Sequence, residues 1–138
     1  MSRTSLKVEL LSHTPHPDEV VATGARMCYS SAGVEDLIRG VAEKDQSKYL
    51  QRIVDMGHLS PIEHASFTFA VEGVSRALLA QITRHRIASF SVQSQRYVSQ
   101  ANQTGSFPYI LPPSIEALGP EAVAEYDRQM ETMQQWYN

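Results

Sequence analysis

Apolar and polar positions alternate most cleanly over residues 66–72 (SFTFAVE), where Phe67, Phe69 and Val71 point one way and Ser66, Thr68, Ala70 and Glu72 the other. That period of two predicts a half-buried strand, ended by Gly73. Residues 6–11 (LKVELL) predict a second, less regular strand, and a third is expected near 89–98. Elsewhere the spacing is helical. After a loop with Pro15 and Pro17, Asp18 is a candidate N-cap for a helix reaching Cys28. Val20, Val21, Gly24, Met27 and Cys28 then fall near one face. Residues 34–39 and 46–56 predict two more helices, the second carrying Tyr49, Leu50, Ile53, Val54 and Met56 as apolar positions. Gly57 is placed to be its C′ residue. The Ala- and Leu-rich stretch 75–85 suits a helix. Segment 105–113, with Gly105 and three prolines, reads as a loop, and Pro120 opens a helix over 121–137. The fold class is therefore α/β in the α+β sense: a small, largely antiparallel sheet with helices packed round it.

Composition narrows the class. At 138 residues, 42% apolar and 20% charged, the chain has the make-up of one soluble globular domain. No apolar run approaches the roughly 20 residues that span a bilayer, so no membrane partner is expected. The N-terminus lacks the apolar stretch of a signal peptide, which makes a cytoplasmic protein the expectation. The single cysteine, Cys28, excludes an internal disulfide and any multi-cysteine zinc site. Its place on an apolar helix face predicts a buried, inert thiol. A net charge of −3 argues against nucleic acid as a partner. The ending Trp136-Tyr137-Asn138 reads as the middle of a helix, so a chain shortened relative to a longer ancestor is expected.

Most of the unusual polar residues lie between His58 and Tyr97. In His58-Leu59-Ser60-Pro61-Ile62-Glu63-His64, two histidines and a glutamate are metal-ligand types. Pro61 starts a turn there and no HExxH helix is possible, so no metal is expected. His58 and Ser60 lining a ligand pocket is the better functional reading. On a helix, Gln81, Arg84 and His85 share a face, joining an amide, a guanidinium and an imidazole. The structural alternative is cations complementing a helix C-terminus, worth about 0.3–1 kcal/mol each. Ser89 to Tyr97 adds Arg96 among serines and glutamines. Three of nine arginines fall within residues 84–96, a positive patch in an acidic chain. The arginine fork matches phosphate, and a patch of this size suits a phosphorylated small molecule. A solvated basic face is the alternative, but Gln93, Ser94 and Gln95 gain nothing from one. There is no GxGxxG and no P-loop, so any nucleotide must be held by side chains. No nucleophile stands out.

The run Arg84-His85-Arg86-Ile87-Ala88-Ser89-Phe90-Ser91-Val92-Gln93-Ser94-Gln95-Arg96-Tyr97 resembles the signature of flavin-dependent thymidylate synthases: RHR, seven residues, a serine, then x-R-Y. His58 to His64, followed by Phe67-Thr68-Phe69, is similar to that family's preceding block. The matching span is about residues 57–99, with weaker similarity from Leu6 to Gly57. The resemblance implies the thymidylate synthase-complementing protein fold and conversion of dUMP to dTMP. It implies methylenetetrahydrofolate as carbon donor, FAD as cofactor, NADPH as reductant, and a homotetramer with sites at subunit junctions. It implies FAD contacts from His58, Ser60, Arg84, His85, Arg86 and Val92, and dUMP contacts from Gln81, Arg84, Gln93, Ser94, Gln95 and Arg96. Arg96 falls on the phosphate side. No enzymic cysteine is needed in that family, which agrees with the absence of an activated thiol.

Two departures stand out. Ser91-Val92 occupies positions where family members often carry Asn-Glu, so Val92 has only backbone polar groups to offer. The family's C-terminal arginine and asparagine-arginine segment find no match after Tyr97, which places the catalytic arginine beyond residue 138. Residues 1–138 are thus expected to be a single domain, the N-terminal portion of such an enzyme. An isolated Ser94 with no adjacent base is a poor nucleophile and is assigned to positioning dUMP. Two other classes remain: a non-catalytic flavin- or nucleotide-binding module, and a small RNA-binding domain using Arg84, Arg86, Arg96 and Tyr97. The acidic net charge disfavours the last.

Overall fold

A computed structural model describes residues 3–99 and 107–137 of the chain. In order these form β1 (Lys7–His13), α1 (Pro17–Met27), α2 (Val34–Ala42), α3 (Ser47–Asp55), a 3-10 helix (Ser60–His64), β2 (Phe67–Glu72), α4 (Arg76–Ile82), α5 (Pro113–Glu116) and α6 (Pro120–Tyr137). β1 and β2 pair as a small antiparallel sheet, so the α+β class holds. The third strand does not form: residues 89–98 are irregular, with a turn at Gln95–Tyr97. The described residues fall into two units, one of residues 9–70 and one of the remainder.

In the unit of residues 9–70, α1 packs on α2, α3 and the 3-10 helix. Asp18 is not the N-cap. His16 takes that place in a left-handed conformation (φ 45°), and Pro17 fills the first turn. Proline suits that position because it lacks the amide hydrogen that would go unpaired there. Asp18 and Glu19 then complement the positive end of the helix. The buried face is Val21, Ala22 and Ala25, whereas Val20 and Met27 stay 37% and 43% exposed. Two alanines let neighbouring helices approach closely. Val41 of α2 and Ile53 of α3 complete this core.

Buried Gln46 is fully satisfied: its Nε2 donates to the carbonyls of Val41 and Lys44, both at 2.8 Å, and its Oε1 accepts from Arg26 at 3.3 Å. The Arg26 guanidinium also lies over the Tyr49 ring, 4.0 Å from its centroid. Gly57 is the C′ residue of α3, as its position predicts, with φ 71°. Its N–H donates to Val54 at 2.9 Å and the His58 N–H to Ile53 at 3.0 Å. Both bonds of a Schellman closure are therefore present. Cys28 is exposed just beyond α1, contrary to the expected buried thiol, because the buried face of α1 turns on Ala22 and Ala25.

In the other unit, α5 packs on α6. Tyr109 is buried, and its hydroxyl donates to Asp127 of α6 at 2.6 Å. Arg3 donates to the other carboxylate oxygen at 2.5 Å. The Arg3 guanidinium, then the Tyr109 hydroxyl, hold the Asp127 carboxyl below the ordinary carboxylate range. Buried Gln134 accepts the Phe107 N–H at 2.6 Å. Of the loop expected over 105–113, residues 105 and 106 lie outside the described residues; Tyr109 bridges to Arg3 and Pro113 already starts α5.

The expected half-burial of β2 is not observed. Every residue of both strands is exposed, with Phe67, Phe69 and Val71 at 51–53%. Two strands leave both faces uncovered, so alternation alone buries nothing. Phe67 stacks on Phe69 and on His13, with centroids 6.4 and 6.0 Å apart. Gly73 ends β2 at φ 70°, where an added Cβ would overlap the Ser5 carbonyl. No described helix is long and apolar enough to cross a membrane.

Candidate functional site

His58 and Ser60 belong to the unit of residues 9–70. The Schellman closure fixes the His58 backbone, and the ring is half-buried. Tyr29 meets it edge-on, with centroids 5.7 Å apart and planes at 81°, and the Tyr29 hydroxyl lies 3.4 Å from Nδ1. Ser60 is exposed at the start of the 3-10 helix, whose Pro61 is buried. His64 closes that helix against Gly24, where an added Cβ would come within 2.8 Å of the imidazole. Among the described residues no three histidine, cysteine or acidic side chains gather as a metal site.

The other candidate residues belong to the second unit. Ser75 caps α4, its hydroxyl accepting the Leu78 N–H at 3.1 Å. The helix ends at Ile82, three residues short of the expected boundary. There the bonds shorten to one residue less: Arg84 N–H donates to Gln81 and His85 N–H to Ile82, each at 3.1 Å. Thr83 also turns its hydroxyl back onto the Leu79 carbonyl at 2.8 Å. Adjacent β-branched Ile82 and Thr83 lower helix propensity at this point. Gln81 therefore sits on the last turn, while Arg84 and His85 lie beyond it, and the shared helical face is not formed.

From His85 to Phe90 the chain is irregular and exposed. It is tied back at Gln93, whose carbonyl accepts from Arg76 of α4 at 3.0 Å. Ser94, the half-buried member of the run, then shapes the turn. Its hydroxyl accepts the Arg96 N–H at 3.2 Å and its carbonyl the Val98 N–H at 3.0 Å. Gln95, Arg96 and Tyr97 project from this turn, with Tyr97 86% exposed.

Residues 9–138 match the family described as thymidylate synthase complementing protein. This chain belongs to that family. Among its relatives is the flavin-dependent thymidylate synthase of Clostridium tetani, 52% identical over 111 residues, which cover 80% of this chain and 43% of the relative. The protein of the same name from Nitratidesulfovibrio vulgaris is 48% identical over 136 residues, or 95% of this chain and 54% of the relative. That from Geobacter sulfurreducens is 47% identical over 112 residues, 81% of this chain and 47% of the relative. The chain thus spans about half the length of the curated relatives it matches.

The relatives' names specify a flavin, and the donor set suits an anionic cofactor. Arg84, His85, Arg86 and Arg96 are exposed, and among the described residues none is paired with a carboxylate. Their donors remain free for phosphate oxygens, the partners that guanidinium groups bind in pairs. Val92 is 43% exposed. Two residues that pattern reading passed over also bear on the site. Tyr29 reaches His58 from 29 positions away, and Arg76 reaches Gln93 from 17. Neither lies in a recognisable motif, so no local signal marks them.

Proposed function

We propose that this chain carries out, as part of a flavin-dependent thymidylate synthase, the reductive methylation of dUMP to dTMP. Methylenetetrahydrofolate is the carbon donor and NADPH the reductant. FAD, when bound, supplies the redox chemistry. His58, Ser60, Arg84, His85, Arg86 and Val92 hold the flavin. Gln81, Arg84, Gln93, Ser94, Gln95 and Arg96 hold dUMP, with Arg96 on the phosphate and Ser94 setting the turn. Fixed arginines stabilise negative charge that develops on the uracil ring. The protein works in the cytoplasm as a homotetramer.

The observation that carries this reading is the set of exposed nitrogen donors on Arg84, His85, Arg86 and Arg96, free of acidic partners among the described residues, beside a serine-built turn. Calorimetric titration tests it. Arg96→Ala is expected to weaken dUMP binding about tenfold or more, the scale of a hydrogen bond to a charged group. FAD binding should hold within twofold. Equal losses for both ligands would remove Arg96 from the phosphate.

A second reading is a non-catalytic flavin- or nucleotide-binding fragment that uses the same exposed donors of Arg84, Arg86 and Arg96. Saturating the purified chain with FAD, desalting it and recording the visible spectrum separates the two when followed by a turnover assay. Retained flavin with dUMP-dependent turnover supports the enzyme. Retained flavin without turnover supports the binding fragment.

A further inference from the structure

Helix α4 carries Arg76 and Gln81, yet none of its seven residues is buried. A helix of that length is marginal unless something outside it holds it. The groups that hold α4 lie at its start, and they lead back to the N-terminal segment. We propose that residues 3–5 are a strap tying the start of α4 to α6, which makes Arg3 a positioning residue for the turn that presents Gln95 and Arg96. Its bearing on dUMP rests on the reading in which that turn holds the nucleotide.

The strap is held at both ends. At one, Arg3 forks onto Asp127 of α6, with Nη2 donating to Oδ2 at 2.5 Å and Nε to Oδ1 at 3.3 Å. The Thr4 N–H donates to the Tyr109 carbonyl at 3.0 Å, and the Tyr109 hydroxyl donates to Asp127 at 2.6 Å. Tyr109 is buried and α6 runs for 18 residues, so this end is well anchored. At the other end, backbone meets backbone. A Cβ on Gly73 would stand 1.9 Å from the Ser5 carbonyl oxygen and 3.0 Å from the Leu6 nitrogen. Such a contact has no side-chain rotamer to absorb a shift of Ser5.

Gly73 stands two residues before Ser75, whose hydroxyl caps α4 by accepting the Leu78 N–H at 3.1 Å. Arg76 follows in the first turn and donates to the Gln93 carbonyl at 3.0 Å. Ser94, which shapes the turn, is the next residue. A continuous path of bonds and close contacts therefore runs from Asp127 through Arg3, Ser5, Gly73, Ser75 and Arg76 to Gln93. A helix with no buried face takes its place from such contacts, and α6 supplies the rigid end.

The test compares the full chain with Arg3→Ala. The Arg3 side chain is 46% exposed, so its loss opens no core cavity. Amide hydrogen exchange in the ligand-free chain is expected to quicken at Leu78 and Leu79 of α4 and at Val98 in the turn. The increase should be about tenfold, the scale of one charge-assisted hydrogen bond. Exchange at Leu50 of α3, in the other unit, should match the parent. Asp127→Asn should give the same pattern, and Arg3→Lys, which keeps the charge, a weaker one. Faster exchange confined to Thr4 and α6, with Leu78 unchanged, overturns the strap. Equal quickening at Leu50 overturns it as well, because it reports a loss of global stability. Calorimetry supplies the second readout. Arg3→Ala should weaken dUMP binding about threefold, within the range of couplings carried through packed residues. Unchanged dUMP affinity beside faster exchange at Leu78 removes the positioning role. The exchange measurement needs no nucleotide. If the parent chain fails to bind dUMP, the nucleotide reading of the turn fails, while exchange at Leu78 still decides whether the strap exists.

Discussion

Asp127 shows how a single carboxylate in α6 ties distant segments together. It accepts from Arg3 and from Tyr109, and both bonds favour its ionised form. An acid whose folded pKa is depressed adds stability above its unfolded value, about 3.9, and that stability is lost as pH falls through the folded value. Asp45 has the same sign, held down by the Ser47 hydroxyl and then the Ser47 N–H. Urea midpoints measured from pH 7 to pH 3 should therefore fall. Asp127→Asn should lower the midpoint at pH 7 and flatten its acid decline. A variant as steep as the parent would show that other groups drive acid unfolding. Gly73 makes a sharper test of backbone conformation. At φ 70°, with the Ser5 carbonyl where a Cβ would stand, Gly73→Ala should cost at least the ~1–3 kcal/mol of a strained backbone. A denaturant midpoint within error of the parent would contradict the close approach of Ser5.

The elements that pattern reading finds are those whose signals are local. Alternation from Phe67 to Val71 identifies β2, Gly57 marks the end of α3, and Pro120 opens α6. What it misses depends on partners elsewhere. A strand needs a neighbour, and among the described residues 89–98 have none: β1 and β2 pair with each other, while Arg76 takes the Gln93 carbonyl. The serine that helps to mark the family signature, Ser94, bends the chain instead. The run from Arg84 to Tyr97 is legible as a contiguous motif, but the expected helical face of Gln81, Arg84 and His85 does not form, because α4 stops at Ile82. The tie from Arg76 suggests its own experiment. Arg76→Ala should free Gln93 and weaken dUMP binding severalfold, with FAD affinity and the urea midpoint close to the parent's. Arg76→Lys, lacking the planar fork, should restore only part of the loss. A full restoration by lysine would mean that charge alone matters at this position.

The sheet raises a question that belongs to the whole molecule. A two-stranded ribbon is marginal by itself in water, and three or more strands or a covering layer are needed for independent stability. Here both faces stay exposed, and Phe67, Phe69, Val71, Leu10 and Leu11 each leave at least half of their surface to solvent. Exposed strands with apolar faces pair with other chains unless something covers them. Phe67, Phe69 and Val71 carry the clean alternation of β2, which makes their exposed face a candidate contact surface. Lys7 and Glu72 lie 3.8 Å apart across the pair, and Glu9 adds a carboxylate within β1. The chain is therefore expected to associate as its concentration rises, in keeping with the proposed homotetramer. Sedimentation velocity from micromolar to tenfold higher concentration measures this directly. Phe69→Asp places a charge in the middle of the apolar face and should shift the distribution toward the monomer. The secondary structure should stay unchanged by circular dichroism, because no buried contact is lost. If the parent is monomeric throughout that range, the face is not a self-association surface and the exposed phenylalanines await a different covering partner.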